Sequence, residues 1–155
     1  MLSPYIFIGL EKNRDLFGLL LENVSPDHLD DSTGAGRFSV REAFAHWADW
    51  EEVHLGRVLA AKAEDGVRVP DIDEGQRVFD RTYREWSTDH IRSLFLDGRR
   101  VLIRTLHDLS DEELGRRFEH SRFGLLTIAD YAGHILGHDA YHAEQLTRYA
   151  LELRA

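Results

Sequence analysis

The sequence predicts an all-α protein: a four-helix bundle, up-down-down-up, with a short extra helix in the crossover between the second and third long helices. Three observations lead there. Helix-start signals recur along the chain, long segments between them carry apolar residues at helical spacing, and strand signals are nearly absent. The connection over residues 64–87 is also long. A short loop would force the helices it joins to be antiparallel, whereas this one can cross the bundle and leave them parallel.

The elements follow in order. Ser3-Pro4 reads as an N-cap with proline in the first turn, where its missing N–H costs nothing, and the helix runs to about Glu22. Asn23 to Gly36 is a loop with Pro26, Asp30, Asp31 and Gly34. Ser39-Val-Arg-Glu42 is a capping box opening a helix from Val40 to about Ala63. A shorter helical stretch spans about Asp73 to Trp86. The third long helix runs from Thr88 to about Asp108, with Ile91, Leu94, Phe95, Gly98, Val101, Leu102, Thr105 and Leu109 at helical spacing. Ser110 to Glu113 is a second capping box over a single turn, and Leu114 to Leu126 reads as irregular. Thr127-Ile-Ala-Asp130 caps a fourth long helix ending near Leu153. Residues 1–155 read as one helical-bundle domain, and the length suffices for a continuous core.

Composition narrows the chemistry. The net charge of −9, without a basic stripe, argues against nucleic acid or an anionic membrane surface as partner. The absence of cysteine removes disulfides, thiolate zinc sites and a cysteine nucleophile, so any metal must sit on histidine and carboxylate. The opening MLSPYIFIGLEKNRDLF lacks a signal-peptide pattern, and no apolar run reaches membrane-spanning length. A cytoplasmic protein is expected, with a homodimer as the default assembly.

The segment GHILGHDAYHAEQL, residues 133–146, places histidines at 134, 138 and 142. The inward stripe of this helix is Ile128, Tyr131, Ala132, Ile135, Leu146, Tyr149 and Leu153. His138 and His142 fall inside it, with His134 at its edge. Two imidazoles in consecutive core layers need polar partners, which either a metal ion or a hydrogen-bonded, partly solvated arrangement supplies. His134 and His142 are roughly 12 Å apart along the axis, too far to share an ion. The second helix carries Val40, Ala43, Phe44, Trp47, Leu55 and Val58 inward. On its wheel Glu51 and His54 lie nearer the centre of that face than His46 does, so periodicity nominates them first.

The stretches SVREAFAHWADWE and FEHSRFGLLTIADYAGHILGHDAYHAEQL together resemble the DinB-like (YfiT-like) superfamily of metal-binding four-helix bundles. What the resemblance implies is an open divalent-metal site, nickel or zinc, on three histidines: His46, His138 and His142. It also implies a transferase or isomerase using a low-molecular-weight thiol such as bacillithiol or mycothiol, and an open metal site is equally suited to a hydrolase acting through metal-bound water. A divalent cation lowers the pKa of a coordinated thiol, and a cysteine-free chain would take that thiol from its cosubstrate. Asp49 would orient a ligand imidazole or face solvent as a surface aspartate. Glu51 and His54 would line the site or stand as core polar residues, and His134 would flank the pocket. His28, His90, His107 and His120 read as exposed or packing residues, and Trp47, Trp50 and Trp86 as core, or one of them as the wall of an apolar substrate pocket. Two other readings are a non-catalytic metal-binding or dimerisation module in stress response, and a di-metal carboxylate protein built on Glu51-x-x-His54 and Asp139-x-x-His142.

Overall fold

A computed structural model, describing residues 1–152, gives four long helices: α1 (Pro4–Asn23), α2 (Val40–Ala63), α4 (Thr88–His107) and α6 (Ile128–Glu152). The short helices α3 (Glu74–Asp80) and α5 (Asp111–Leu114) lie between them. The local start signals act as their chemistry dictates. Ser39 Oγ accepts from the Glu42 N–H at 3.2 Å while Glu42 Oε2 accepts from the Ser39 N–H at 2.8 Å. Thr127 and Asp130 exchange the same pair of bonds at the head of α6.

Side-chain pairs fix the topology. Trp47 meets Phe95 and Glu51 meets Arg99, so residue numbers on α2 and α4 rise together and the two helices are parallel. Gly9 lies under Leu136 and Asn13 bonds Asp139, which makes α1 and α6 parallel. Leu2 and Leu10 of the α1 half share a core cluster with Val58, Ala61 and Leu106 from the ends of α2 and α4, so the two pairs oppose each other. The bundle is up-down-down-up.

Its apolar interior is in two parts. One holds Phe17, Phe44, Trp47, Phe95 and Leu146; the other holds Leu10, Val58, Leu102, Tyr131 and Ile135. Between them each long helix contributes polar groups: Asn13, Glu51, His54, Arg99, Asp139 and His142. This polar layer across mid-bundle is where the candidate site residues of α2 and α6 sit.

Two stretches differ from the sequence expectation. The segment read as irregular contains a hairpin, β2 (Arg117–His120) and β3 (Gly124–Thr127), completed by β1 (Val67–Arg68) running parallel to β2. Gly124, at φ +70°, makes the turn that lets β3 fold back. The helix expected over 73–86 stops at Asp80. Thr82 takes a left-handed conformation at φ 50°, and a 3-10 turn, Tyr83–Glu85, follows. On α4, Val101 is exposed whereas Arg99 is fully buried, and Leu153 of the expected α6 stripe lies outside the described residues.

Candidate metal centre

Helix α2 delivers His46 and α6 delivers His138 and His142 to one point in the polar layer. Each offers a ring nitrogen, and these atoms lie within 4.8 Å of one another. The i, i+4 pair on α6 is closest, with His138 Nε2 and His142 Nε2 separated by 3.1 Å. Nitrogens on one divalent ion at about 2.1 Å each stand about 3.0–3.4 Å apart, so the α6 pair already has that spacing. His142 Nδ1 faces Gln145 Oε1 at 3.0 Å. With the proton on Nδ1 this bond leaves the Nε2 lone pair directed at the cluster, the outer-partner arrangement typical of metal-bound histidine.

The donors suit a cation for a second reason. Buried ring nitrogens without hydrogen-bond partners among the described residues are His46 Nδ1, His138 Nδ1 (opposite the Nε2 that faces His142) and His54 Nε2. Burial, then the neighbouring His142 and Arg77, push the His46 pKa down to about 3. Burial also holds His138 and His54 well below the ordinary histidine value. Neutral imidazoles at physiological pH are the form a divalent metal binds. Trp50 walls the cluster, its ring 4.4 Å from that of His46 and stacked on that of His138 at 6.0 Å.

Beneath the histidines lies a buried ion network that sequence reading missed. Arg99 is fully buried and donates through Nε to Glu51 Oε2 at 2.9 Å and through Nη2 to Glu51 Oε1 at 2.5 Å. Its Nη1 and Nη2 reach Asp139 at 2.6 and 2.8 Å. Asp139, between the two α6 histidines in sequence, also accepts from Trp47 Nε1 at 2.8 Å and Asn13 Nδ2 at 3.0 Å. One aspartate thus ties α6 to all three other long helices and sets the rotation that faces His138 and His142 to His46. Gly98 permits the approach of α4, since a Cβ there would stand 2.6 Å from Glu51 Cβ. The wheel of α4 held the signal: Arg99 completes the series Ile91, Phe95, Leu102, Leu106.

The remaining sequence candidates fall into place around this arrangement. Glu51 is the Arg99 partner, and so is Asp139, which removes both carboxylates from the di-metal reading. Asp49 is neither bonded to an imidazole nor solvated. It is fully buried and accepts from Arg77, from Arg81 Nη2 at 2.8 Å and from Tyr83 Oη at 2.6 Å, anchoring α3 and the turn after it. That demand explains the break after α3: a continuous helix would not bring both Arg81 and Tyr83 to one carboxylate. His54 is fully buried with its ring 5.0 Å from that of His138, and its Nδ1 pairs with Tyr131 Oη at 2.8 Å. His134 is half-buried beside the cluster, stacked on Tyr131 and against Phe123. His120 is buried on β2, where its Nδ1 accepts from the Arg122 N–H.

Comparison with known proteins adds the wider setting. A family model described as DinB superfamily matches residues 9–146. Among solved structures, YfiT from Bacillus subtilis, described as "a probable metal-dependent hydrolase with an unusual four-helix bundle topology", aligns with a TM-score of 0.88 at 18% identity, over 99% of this chain and 90% of that one. The DinB-like protein YjoA from Bacillus subtilis aligns with a TM-score of 0.68 at 17% identity, over 97% and 93% of the two chains. A mycothiol-dependent maleylpyruvate isomerase aligns with a TM-score of 0.74 at 12% identity, over 92% of this chain but 59% of that one. No curated protein matches by sequence.

Proposed function

Since the chain belongs to the DinB superfamily, we propose that it is a divalent-metal protein in which His46, His138 and His142 hold a single nickel or zinc ion and a small-molecule reaction is carried out beside it. The observation that carries this reading is the convergence of three neutral imidazoles on one point, His46 and His142 buried and His138 half-buried, the α6 pair with Nε2 atoms 3.1 Å apart. Three protein ligands leave positions for water or substrate, the arrangement of catalytic rather than structural metal sites.

The chain's own residues have definable roles. Gln145 holds His142 in the tautomer that leaves Nε2 available. Asp139, neutralised by Arg99, keeps the α6 histidines facing α2. Trp50 excludes water from one side of the imidazoles. A bound divalent ion supplies Lewis acidity that lowers the pKa of a coordinated thiol or water. With no cysteine in the sequence, a thiol nucleophile must arrive as a low-molecular-weight cosubstrate. Thiol transfer to an electrophilic carbon is our reading. Hydrolysis is the second, favoured by the likeness to YfiT.

The test is consumption of a low-molecular-weight thiol with 1-chloro-2,4-dinitrobenzene, followed optically, against hydrolysis of an activated ester. Metal-loaded protein should accelerate the thiol reaction, and His138→Ala should lower the rate at least 100-fold, in the range seen when metal-centred activation is removed. Ester hydrolysis without thiol consumption would replace transfer by hydrolysis. Neither activity at any metal loading would remove the enzymatic reading.

A further inference from the structure

Helix α2 carries a second arginine into the interior, and this one forms no ion pair among the described residues. Arg57 is 7% exposed, and its Nη1 donates to Tyr131 Oη at 3.0 Å. Its Nε is buried without an acceptor, and among the described residues no carboxylate lies within ion-pairing distance. The contrast with the other sequestered arginines is plain: Arg99 has Glu51 and Asp139, and Arg77 has Asp49. Two acids in its neighbourhood are engaged elsewhere. Glu52 pairs with Arg81, and Asp71 accepts from Ser121 Oγ and the Ile72 N–H. A guanidinium stays charged at any physiological pH, and a buried, uncompensated cation is costly.

Arg57 lines a groove of about 300 Å³ between α2 and the crossover. Its lining is apolar at Val53, Val69, Pro70 and Ile72 and also includes Glu52 and Arg77, which are held in ion pairs with Arg81 and Asp49 respectively. Side-chain contacts connect two of the residues lining the groove to the histidine cluster. Arg57 reaches it through Tyr131 Oη, which pairs with His54, whose ring lies 5.0 Å from that of His138. Arg77 lies over Trp50, which packs on His46.

We propose that Arg57 anchors a carboxylate of the substrate, carried on a short apolar chain that lies in this groove. The planar fork of a guanidinium matches a carboxylate. A single guanidinium free of an ion-pair partner, in a chain of net charge −9, suits a monoanion better than a phosphate dianion. Calling this ligand the substrate rests on the metal reading above; the anion site itself does not.

Hexanoate is the probe, with hexanol as its uncharged counterpart and inorganic phosphate as the competing anion. Titrations are followed by tryptophan fluorescence, for Trp50, and by the Arg57 Nε–H resonance in the wild-type protein. Hexanoate should bind about tenfold or more tightly than hexanol, as charge-assisted hydrogen bonds give, and should move the Arg57 Nε–H. Arg57→Gln should abolish the preference, while Arg57→Lys keeps part of it. Equal binding of hexanol, an unmoved Nε–H at saturation, or unaltered hexanoate binding by Arg57→Gln would overturn the anchor. Phosphate binding more tightly than hexanoate would overturn the carboxylate assignment. The wild-type resonance decides the matter even if the variants do not fold. Metal content is measured on the same samples: a hexanoate preference without bound metal supports the anchor while removing the metal reading, and bound metal without the preference removes the anchor alone.

Discussion

His46 shows how far local pattern reaches at the scale of single residues. The helical wheel nominated Glu51 and His54 ahead of it, because a wheel measures which way a residue faces and not what it meets. Glu51 meets Arg99 and His54 meets Tyr131, while His46 meets the α6 histidines. Only the family resemblance pointed to His46. The same burial makes a pH prediction for the metal-free protein. Burial depresses His46 to about 3 and holds His54 and His138 well below their unfolded value. The unfolded chain therefore binds protons that the folded chain refuses. The stability these groups contribute is fully present above about pH 6.5 and is lost as pH falls toward the folded values, at up to about 1.4 kcal/mol per pH unit for each imidazole. Urea midpoints should drop between pH 7 and pH 5, whereas a flat or rising profile would contradict the neutral, buried cluster. Arg99 supports a second prediction. Arg99→Met strands two buried carboxylates and should cost about 3–5 kcal/mol in denaturant unfolding, whereas adding Glu51→Gln and Asp139→Asn should recover part of that loss. A triple variant no more stable than Arg99→Met would refute the network's charge balance.

Elements were legible where their causes are local. Capping boxes at Ser39 and Ser110 and the Thr127 cap each lie within four residues, and the helix starts they define stand where the sequence put them. The hairpin was not legible, because β2 finds one partner in β3 and the other in β1, some fifty residues earlier, and its four-residue alternation is too short to stand out. The crossover helix was legible in existence but not in extent, since its break is imposed by the distant Asp49. Packing of α2 on α4 depends on Gly98, where a Cβ would meet Glu51 Cβ at 2.6 Å. Gly98→Ala must push the two helices apart and should cost about 1–3 kcal/mol in thermal unfolding. An unchanged melting temperature would show that this contact yields without strain.

The whole molecule is a bundle whose apolar core is divided so that a polar layer can cross it. Such a layer weakens a core unless every member is satisfied, and here the carboxylates and Arg99 satisfy one another while ring nitrogens of His46, His54 and His138 are left without partners. The up-down-down-up order puts α2 beside α6, and that adjacency brings His46 to His138 and His142. No helix among the described residues is long and apolar enough to cross a membrane. A ligand that binds only the folded chain stabilises it by mass action, so nickel or zinc at a hundredfold excess over its dissociation constant should add about 2.7 kcal/mol. The most direct measurement of the central claim is the metal-to-chain ratio of protein stripped and then reloaded with nickel or zinc, taken for the wild type, His46→Ala and His54→Ala. A single ion per chain that is lost with His46→Ala and retained with His54→Ala is the expected result; two ions per chain, or a content indifferent to His46→Ala, would contradict it.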